Sequence, residues 1–503
     1  MAGIVGFGAY VPGLRIATKE IKAVWPAAGS VPGIKEKAVA DFDEDVITMS
    51  VMAAERALAH AGVRAEEVDA LYVATTSAPY EEKSVAAVIQ TVLGVPAEAL
   101  AVDFGRTTRA GTAALINCLA QIKAGEINLG LVIAGDNRLA RAGDLLEQSL
   151  GAAAVALVVG KEKVIAEVLG TASFTAEFTN IWRPVGERLL RRHDDPRLER
   201  EYGYQRAVVK AGQSLLARLG LPGTAFHYLA TAEPDGRSIQ GVAKALGIPA
   251  EAAGPANLAP LVGDTGTASP FLGLVAVLEQ GKPADKALVI SYGSGAGSDA
   301  LAVMLTEEVA AQKQKALTLA EVTREKVSLN YPAYAKRVGL LPVPPALPDP
   351  ISGYLTQPGM LRDAEYLLGL SALECTECGS LNYPHRDYCI DCRSQSFKQV
   401  KLPRLGRVVT YNVQYVSPIG PEEVPVVVCT VKLDGAGGVR GGKVSGAMVA
   451  VDPAQVKIGL PVELVFRRCG EELGLPKYGY KFKPLPETGD AGRGAAGGAS
   501  KEL

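Results

Sequence analysis

Four cysteines in two Cys-x-x-Cys pairs, Cys375/Cys378 and Cys389/Cys392, are the residues whose spacing most plainly implies chemistry. Two such knuckles let four thiolates close around one tetrahedral metal, and the ten residues between them suffice for a compact ribbon. Four protein ligands leave no open coordination position, so this centre builds structure and carries no reaction. Zinc is expected before iron; two disulfides or four unrelated core thiols are the alternatives. Cys118, Cys429 and Cys469 have no framework spacing and are expected to be reduced core residues.

Composition sets the frame around them. A chain of 503 residues implies roughly three domains, and 48% hydrophobic residues are ample for a buried core. A net charge of -2 gives no general attraction to nucleic acid or to an anionic membrane. Met1 runs directly into the apolar segment Ile4 to Tyr10 with no basic region or cleavage signal. No apolar run reaches the roughly 18 residues of a membrane span, so a cytoplasmic protein is expected.

The first 307 residues contain one unit twice. Met49 to Pro96 reads as a helix, a turn at Ala61-Gly62, the strand Ala70 to Thr76, a second helix and Leu93-Gly94-Val95-Pro96. Arg206 to Pro249 repeats this with Leu219-Gly220, the strand Phe226 to Ala232 and Leu246-Gly247-Ile248-Pro249. Gly111-Thr112-Ala113 then opens a long helix before the strand Leu131 to Ala134, and Gly266-Thr267-Ala268 does the same before Leu288 to Ser291. Each half closes with an apolar strand, Ala153 to Val159 and Ala300 to Leu305. Short apolar runs alternating with helices are βαβ units with both sheet faces covered. Two such halves stack as a five-layered α/β/α/β/α body.

This architecture resembles the thiolase superfamily, and residues 1–338 are similar to its 3-hydroxy-3-methylglutaryl-CoA synthase branch. The markers are Pro79-Tyr80-x-x-Lys83, Arg109-Ala110-Gly111-Thr112, Glu233-Pro234-Asp235-Gly236, Ser291-Tyr292-Gly293-Ser294-Gly295 with Ser298-Asp299, and Tyr331-x-x-Tyr334. The resemblance implies a cysteine at a buried helix N-terminus that accepts an acyl group. It also implies a histidine that polarises the second thioester and a glutamate that moves the proton. The matching positions hold Thr108, Ala232 and Thr76, and the asparagine of related ketoacyl synthases falls on Asp264. Asp264, Glu233 and Tyr80 are the candidate substitutes, with Thr108 as an oxygen nucleophile. A hydroxyl needs a base beside it, and there are only four histidines. His60 is expected on an outer helix, His193 in the charged run Arg188 to Arg200, His227 at the strand end away from the site, and His385 in the ribbon. That charged run is expected to be an exposed excursion.

Residues 339–372 form a proline-rich linker and helix, residues 373–395 the ribbon, and residues 396–486 a β-rich segment. Strands are expected at Arg407 to Val416, Val424 to Leu433, Lys443 to Val451 and Val462 to Arg467. Together they resemble the rubredoxin-like zinc ribbon with a small OB-fold barrel that accompanies thiolases and these synthases. Cys375-x-x-Cys378-Gly379, Tyr383-Pro384-x-Arg386 and Ile458-Gly459-x-Pro461-Val462 carry the resemblance. Residues 487–503, rich in Gly and Ala, are expected to be disordered. Arg467, Arg468, Lys477, Lys481 and Lys483 with Tyr478, Tyr480 and Phe482 suggest a basic aromatic surface. Lys477, Lys481 and Lys483 are the candidates for meeting coenzyme A phosphates; a nucleic-acid surface is the remote alternative.

The combined expectation is a synthase-like subunit of an acyl-CoA condensing or thiolase complex, acting as scaffold or acyl-CoA-binding partner. A separate thiolase-like chain would supply catalysis, with pairing as a homodimer or heterodimer through the first domain. The alternative is a self-sufficient acyltransferase using Thr108 and Asp264.

Overall fold

Strands that are apolar along their whole length need a cover on both faces, and helices supply it. The computed structural model describes residues 2–193, 195–232, 234–235, 237–312, 317–324, 326–341, 357–415, 425–435, 442–472 and 474–485. The chain divides into two compact units, Met1–Val343 and Pro344–Leu503.

In the first unit, one half runs β1 (Gly3–Tyr10), α1 (Val46–Ala61), β2 (Ala70–Thr75), α2 (Val85–Leu93), β3 (Leu100–Gly105), α3 (Ala110–Ala124), β4 (Gly130–Asn137) and β5 (Ala152–Gly160). The other runs β6 (Ala166–Phe174), α4 (Tyr204–Leu219), β7 (Tyr228–Thr231), α5 (Ser238–Leu246), α6 (Ser269–Gln280), β8 (Lys286–Ile290) and β9 (Ser298–Leu305). Hydrogen bonding orders the strands β7-β8-β9-β6-β1-β5-β4-β2-β3. Counted within each half, the first half has strand order 3-2-4-5-1 and the second 2-4-5-1. In each, the fifth strand runs antiparallel to both neighbours. The duplication is therefore physical. The halves join where Gly3 and Ile4 pair with Glu167 and Ala166. The second half has no counterpart of β3 among the described residues; a turn at Ala250–Ala253 and the short helix Ala259–Val262 stand there.

Helices α3 and α6 share one core with strands of both halves, through Leu115, Cys118 and Leu119 and through Phe271, Leu274 and Val275. Outside, α4 and α5 cover the second half with Val208, Leu215, Ile239 and Val242. Equivalent helices end alike: Gly62 after α1 and Gly220 after α4 take left-handed φ values of 67° and 65°, where a side chain would be strained. Helix α1 starts from a capping box, with the Asp45 carboxylate accepting from the Thr48 N–H and the Thr48 hydroxyl accepting from the Asp45 N–H.

The expectation for His60 is refined and that for the charged run is corrected. His60 does lie on α1, but it faces inward, buried, its Nδ1 accepting from the Phe7 N–H at 3.4 Å. The charged run is woven into the fold over part of its length. Leu189–Arg192 pairs with Ile181–Trp182 and with Leu139–Ala140, because Leu190 is buried while Arg192 reaches Asp144 at 3.3 Å.

The second unit holds helices Gln357–Arg362 and Ala364–Gly369, a three-stranded ribbon around Ser371–Cys375, and a closed barrel. The barrel consists of β10 (Leu405–Gln414), β11 (Val426–Leu433), β12 (Lys443–Met448), β13 (Pro461–Glu472) and β14 (Leu475–Pro484). It closes in the order β10-β11-β12-β14-β13. Strand β14 is the segment read from sequence as a basic aromatic surface. Tyr478 and Phe482 are buried, since alternate residues of β13 and β14 line the barrel interior with Phe466, and Arg467 is buried as well, on the other face of β13. Cys469 is likewise exposed and not in the core, at a bulge of β13. The tail expected to be disordered lies outside the described residues. No helix among the described residues is long and apolar enough to cross a membrane.

Gly8 of β1 sits against α1 so closely that a Cβ would lie 2.3 Å from the Ala53 carbonyl oxygen. Gly8→Ala is expected to cost about 1–3 kcal/mol in urea unfolding. Gly254→Ala, where the nearest atom is 3.8 Å away, is expected to stay within about 0.5 kcal/mol of the parent.

Candidate functional site

Parallel strands end where their helices begin, so the C-terminal ends of β2, β4, β7 and β8 and the N-terminus of α3 gather at one side of the first unit. The centre of this edge is Asp136, wholly buried at the end of β4. Its Oδ1 accepts from the Thr76 N–H at 2.7 Å, the Ser77 hydroxyl at 2.8 Å, the Thr76 hydroxyl at 2.9 Å and the Thr75 hydroxyl at 3.0 Å. Oδ2 accepts from the Thr267 N–H at 2.9 Å. Arg183 donates to the Thr76 carbonyl, and burial lowers its pKa.

Thr108 precedes α3 and its hydroxyl donates to the Tyr292 carbonyl at 2.7 Å; among the described residues this is its only hydrogen bond. The next residue, Arg109, pairs with buried Asp299 at 2.8 Å, and Asp299 also accepts from Thr112 and Ser173. Burial pushes the Tyr292 phenol above its ordinary pKa. The Ala232 N–H donates to the Ile290 carbonyl at 3.0 Å, which places its methyl side chain at the same edge. Asp264 is bound on both oxygens: Arg138 donates to Oδ2 at 2.9 Å and the Gly266 N–H to Oδ1 at 2.9 Å. Tyr80 lies beneath Lys83, whose Nζ is 4.4 Å from the ring centroid. Glu233 lies outside the described residues. His193 stacks on Trp182 at 4.7 Å, and His227 lies beside Asp285 at the far end of β7.

The structure thus brings Thr76, Thr108, Ala232 and Asp264 to one edge. Sequence reasoning missed Asp136, Arg138 and Arg183. The signal available was the polar triplet Asp136-Asn137-Arg138 directly after a fully apolar strand, since charges at the end of a buried strand face a site or nothing.

In the second unit, the sulfurs of Cys375, Cys378, Cys389 and Cys392 all lie within 4.8 Å of one another. Cys375 and Cys392 are 3.5 Å apart and Cys378 and Cys389 3.6 Å, near the roughly 3.8 Å edge of a tetrahedron with 2.3 Å metal–sulfur bonds. Backbone N–H groups of Cys392 and Asp391 hold the Cys389 thiol down to about 6, and those of Cys378 and Glu377 lower Cys375. The donor set can hold one metal ion. Burial instead pushes the Cys118 thiol up to about 12, as befits an inert core residue. Lys477 pairs with Glu472 at 2.6 Å, and Lys481 and Lys483 stand opposite Val465 and Glu463 across the hairpin.

Residues 33–173 match the model of the thiolase N-terminal domain, and residues 399–467 that of the ChsH2 C-terminal OB-fold domain. The hydroxymethylglutaryl-CoA synthase of Methanopyrus kandleri is 36% identical over 338 residues, 66% of this chain and 96% of that protein. The chain belongs to the hydroxymethylglutaryl-CoA synthase family. The Methanocaldococcus jannaschii synthase is 35% identical over 342 residues, 67% of this chain and 98% of that one. Two solved structures share the fold. MvaS in complex with 3-hydroxy-3-methylglutaryl coenzyme A has a TM-score of 0.61 at 21% identity, covering 69% of this chain and 94% of its own. An HMG-CoA synthase complexed with CoA has 0.58 at 19% identity, covering 69% and 92%. The synthase domain is therefore joined in one chain to a cysteine ribbon and an OB-fold barrel.

Arg138 and Asp264 are both largely buried, so Arg138→Met strands a carboxylate. It is expected to cost about 3–5 kcal/mol in chemical unfolding. Cys375→Ser, or a strong chelator, is expected to lower the calorimetric transition of the Pro344–Leu503 unit and to leave that of Met1–Val343 in place.

Proposed function

We propose that this chain is a non-catalytic, acyl-CoA-binding subunit of an acyl-CoA condensing or thiolase complex. A separate thiolase-like chain supplies the nucleophile, and the synthase-like body pairs with it, or with its own copy, as a dimer. The supporting observation is Thr108. Where the family resemblance calls for a thiol there is a hydroxyl, and its proton is committed to the Tyr292 carbonyl. A hydroxyl without a base is not a nucleophile at neutral pH. Thr76 and Ala232, at the positions of the glutamate and histidine, bring neither a proton acceptor nor an imidazole. Asp264 is a poor substitute because protonating it breaks its pair with Arg138.

In this reading zinc fills the ribbon, for which four thiols at near-tetrahedral separations are suited. It holds the knuckles together and takes no part in a reaction. Lys477, Lys481 and Lys483, half-buried on β14 and with Lys477 already paired to Glu472, are the cations read as reaching coenzyme A phosphates. The burial of Tyr478 and Phe482 removes the stacking platform that single-stranded nucleic acid would need on this strand.

The test is acyl-CoA titration of the full chain by calorimetry, with intact mass and turnover measured alone and after co-purification from the native source. Binding without an acyl adduct, and turnover only beside a cysteine-bearing thiolase homologue, is the expected result. Thr108→Ala is expected to change complex turnover less than about twofold, as for a residue outside the chemistry. An acyl adduct on Thr108 in the isolated chain would make this a self-sufficient acyltransferase.

A further inference from the structure

Behind the Asp264 loop lies a cluster of titratable side chains that none of the foregoing chemistry uses. Lys37, on the strand Glu36–Val39, is 3% exposed. Its Nζ donates to the Tyr334 hydroxyl at 3.0 Å and lies 4.7 Å from that ring centroid. Among the described residues this is its one hydrogen bond, and no carboxylate lies within ion-pair distance. Tyr331, one turn away on the helix Tyr331–Arg337, donates to Glu147 Oε1 at 3.0 Å and accepts from the Trp25 indole N–H at 2.7 Å. Glu147, wholly buried, also accepts from the Gly143 N–H at 2.7 Å.

The cluster abuts the site through backbone. Glu147 lies on the short helix Leu145–Ser149, and the chain directly after it grips the Asp264 loop. The Asp264 N–H donates to the Ser149 carbonyl at 2.7 Å, and the Gly151 N–H donates to the Asp264 carbonyl at 2.8 Å. Gly263, φ 80°, leaves no room: a Cβ there would lie 2.5 Å from the Ser149 oxygen and 3.0 Å from Lys37 Cβ. Any shift of Lys37 or of the helix bearing Glu147 is therefore transmitted to Asp264 and its partner Arg138.

We propose that Lys37 is a positioning residue: with Tyr334, Tyr331 and Glu147 it forms a proton-linked clamp that sets the geometry of the Gly263–Gly266 loop. The inference concerns this site whether it binds or transforms its ligand, so it does not depend on the chain being non-catalytic. The neighbours of Lys37 make it the responsive group. Across the strand it pairs with Ile16, while Arg15 beside it turns to the Pro12 and Leu14 carbonyls. The helix Ala259–Val262 brings no titratable group, and Lys336 and Arg337 of the last helix are exposed. Glu36 pairs outward with Lys326. That leaves Glu147 as the carboxylate facing it.

Burial pushes the Lys37 ammonium down to about 7, opposed in part by Glu147. Burial likewise raises Glu147. An unfolded lysine titrates near about 10.4. Between about 7 and about 10.4 the unfolded chain therefore holds the extra proton, and this residue makes stability rise with pH. Below about 7 the clamp carries a buried ammonium with one hydrogen bond, and the loop loosens.

The test is hydrogen exchange of the Gly151 and Asp264 amides in the full chain, comparing wild type with Lys37→Met at equal pH. At about pH 6 the variant is expected to exchange at least about threefold more slowly than wild type, and the gap is expected to narrow as pH rises toward about 9. Equal exchange at both pH values overturns the clamp. If Lys37→Met does not fold, Tyr334→Phe removes the acceptor that favours the ammonium, and the midpoint of the wild-type pH dependence must move to lower pH; an unmoved midpoint overturns the proposal. Arg337→Met, on the exposed side of the same helix, is expected to leave the profile unchanged. Acyl-CoA affinity measured in parallel separates the two ideas, since absent affinity at every pH defeats the ligand reading and leaves the exchange result standing.

Discussion

One buried carboxylate holds the working edge of the synthase-like body together. Asp136 receives the Thr75, Thr76 and Ser77 groups at the end of β2 and the Thr267 N–H ahead of α6, so a single side chain ties the two halves of a duplicated fold. A carboxylate out of water is costly unless every lone pair is met, and here donors from both halves meet it. The demand reaches into the backbone: Gly266 takes φ 61°, and a Cβ there would lie 2.3 Å from Asp136 Oδ2. The positions around the site are consequences of that arrangement.

The same edge shows how the family's architecture is held around Thr108. Helices α3 and α6 remain buried between the half-sheets, and the Arg109–Asp299 pair still anchors the start of α3. At that start the Thr108 hydroxyl is turned to the Tyr292 carbonyl, and Asp264 is paired with Arg138. In the proposed reading, such a body binds acyl-CoA and relies on another chain for chemistry.

The second unit solves a different problem. A ribbon of about two dozen residues cannot bury enough apolar surface to fold alone; Leu370, Ala372 and Leu402 at its base share the barrel's core, and its four thiols gather within 4.8 Å of one another. The barrel next to it closes with the β13–β14 hairpin, whose interior carries Leu464, Phe466 and Phe482. Closure removes the sheet edges and puts Tyr478 inside, which is why a segment rich in lysine and tyrosine is mostly wall and only partly surface.

The cysteine pairs, the repeated Gly-Thr-Ala helix starts, the paired glycine caps and the family markers were legible in the sequence because each is a local feature whose residue types alone constrain the backbone. They sufficed for the doubled body, the ribbon and the barrel. The inward turn of His60, the weaving of Leu189–Arg192 into a small sheet and the burial of Tyr478 depend on which face meets a distant strand. So do the hub at Asp136, the pairing of Arg138 with Asp264 and the setting of Lys37 beside Tyr334, which join residues 126 and 297 positions apart in the last two cases. Local periodicity gives an element its two faces. Only the packed tertiary structure decides which polar groups lose water together and must therefore satisfy one another.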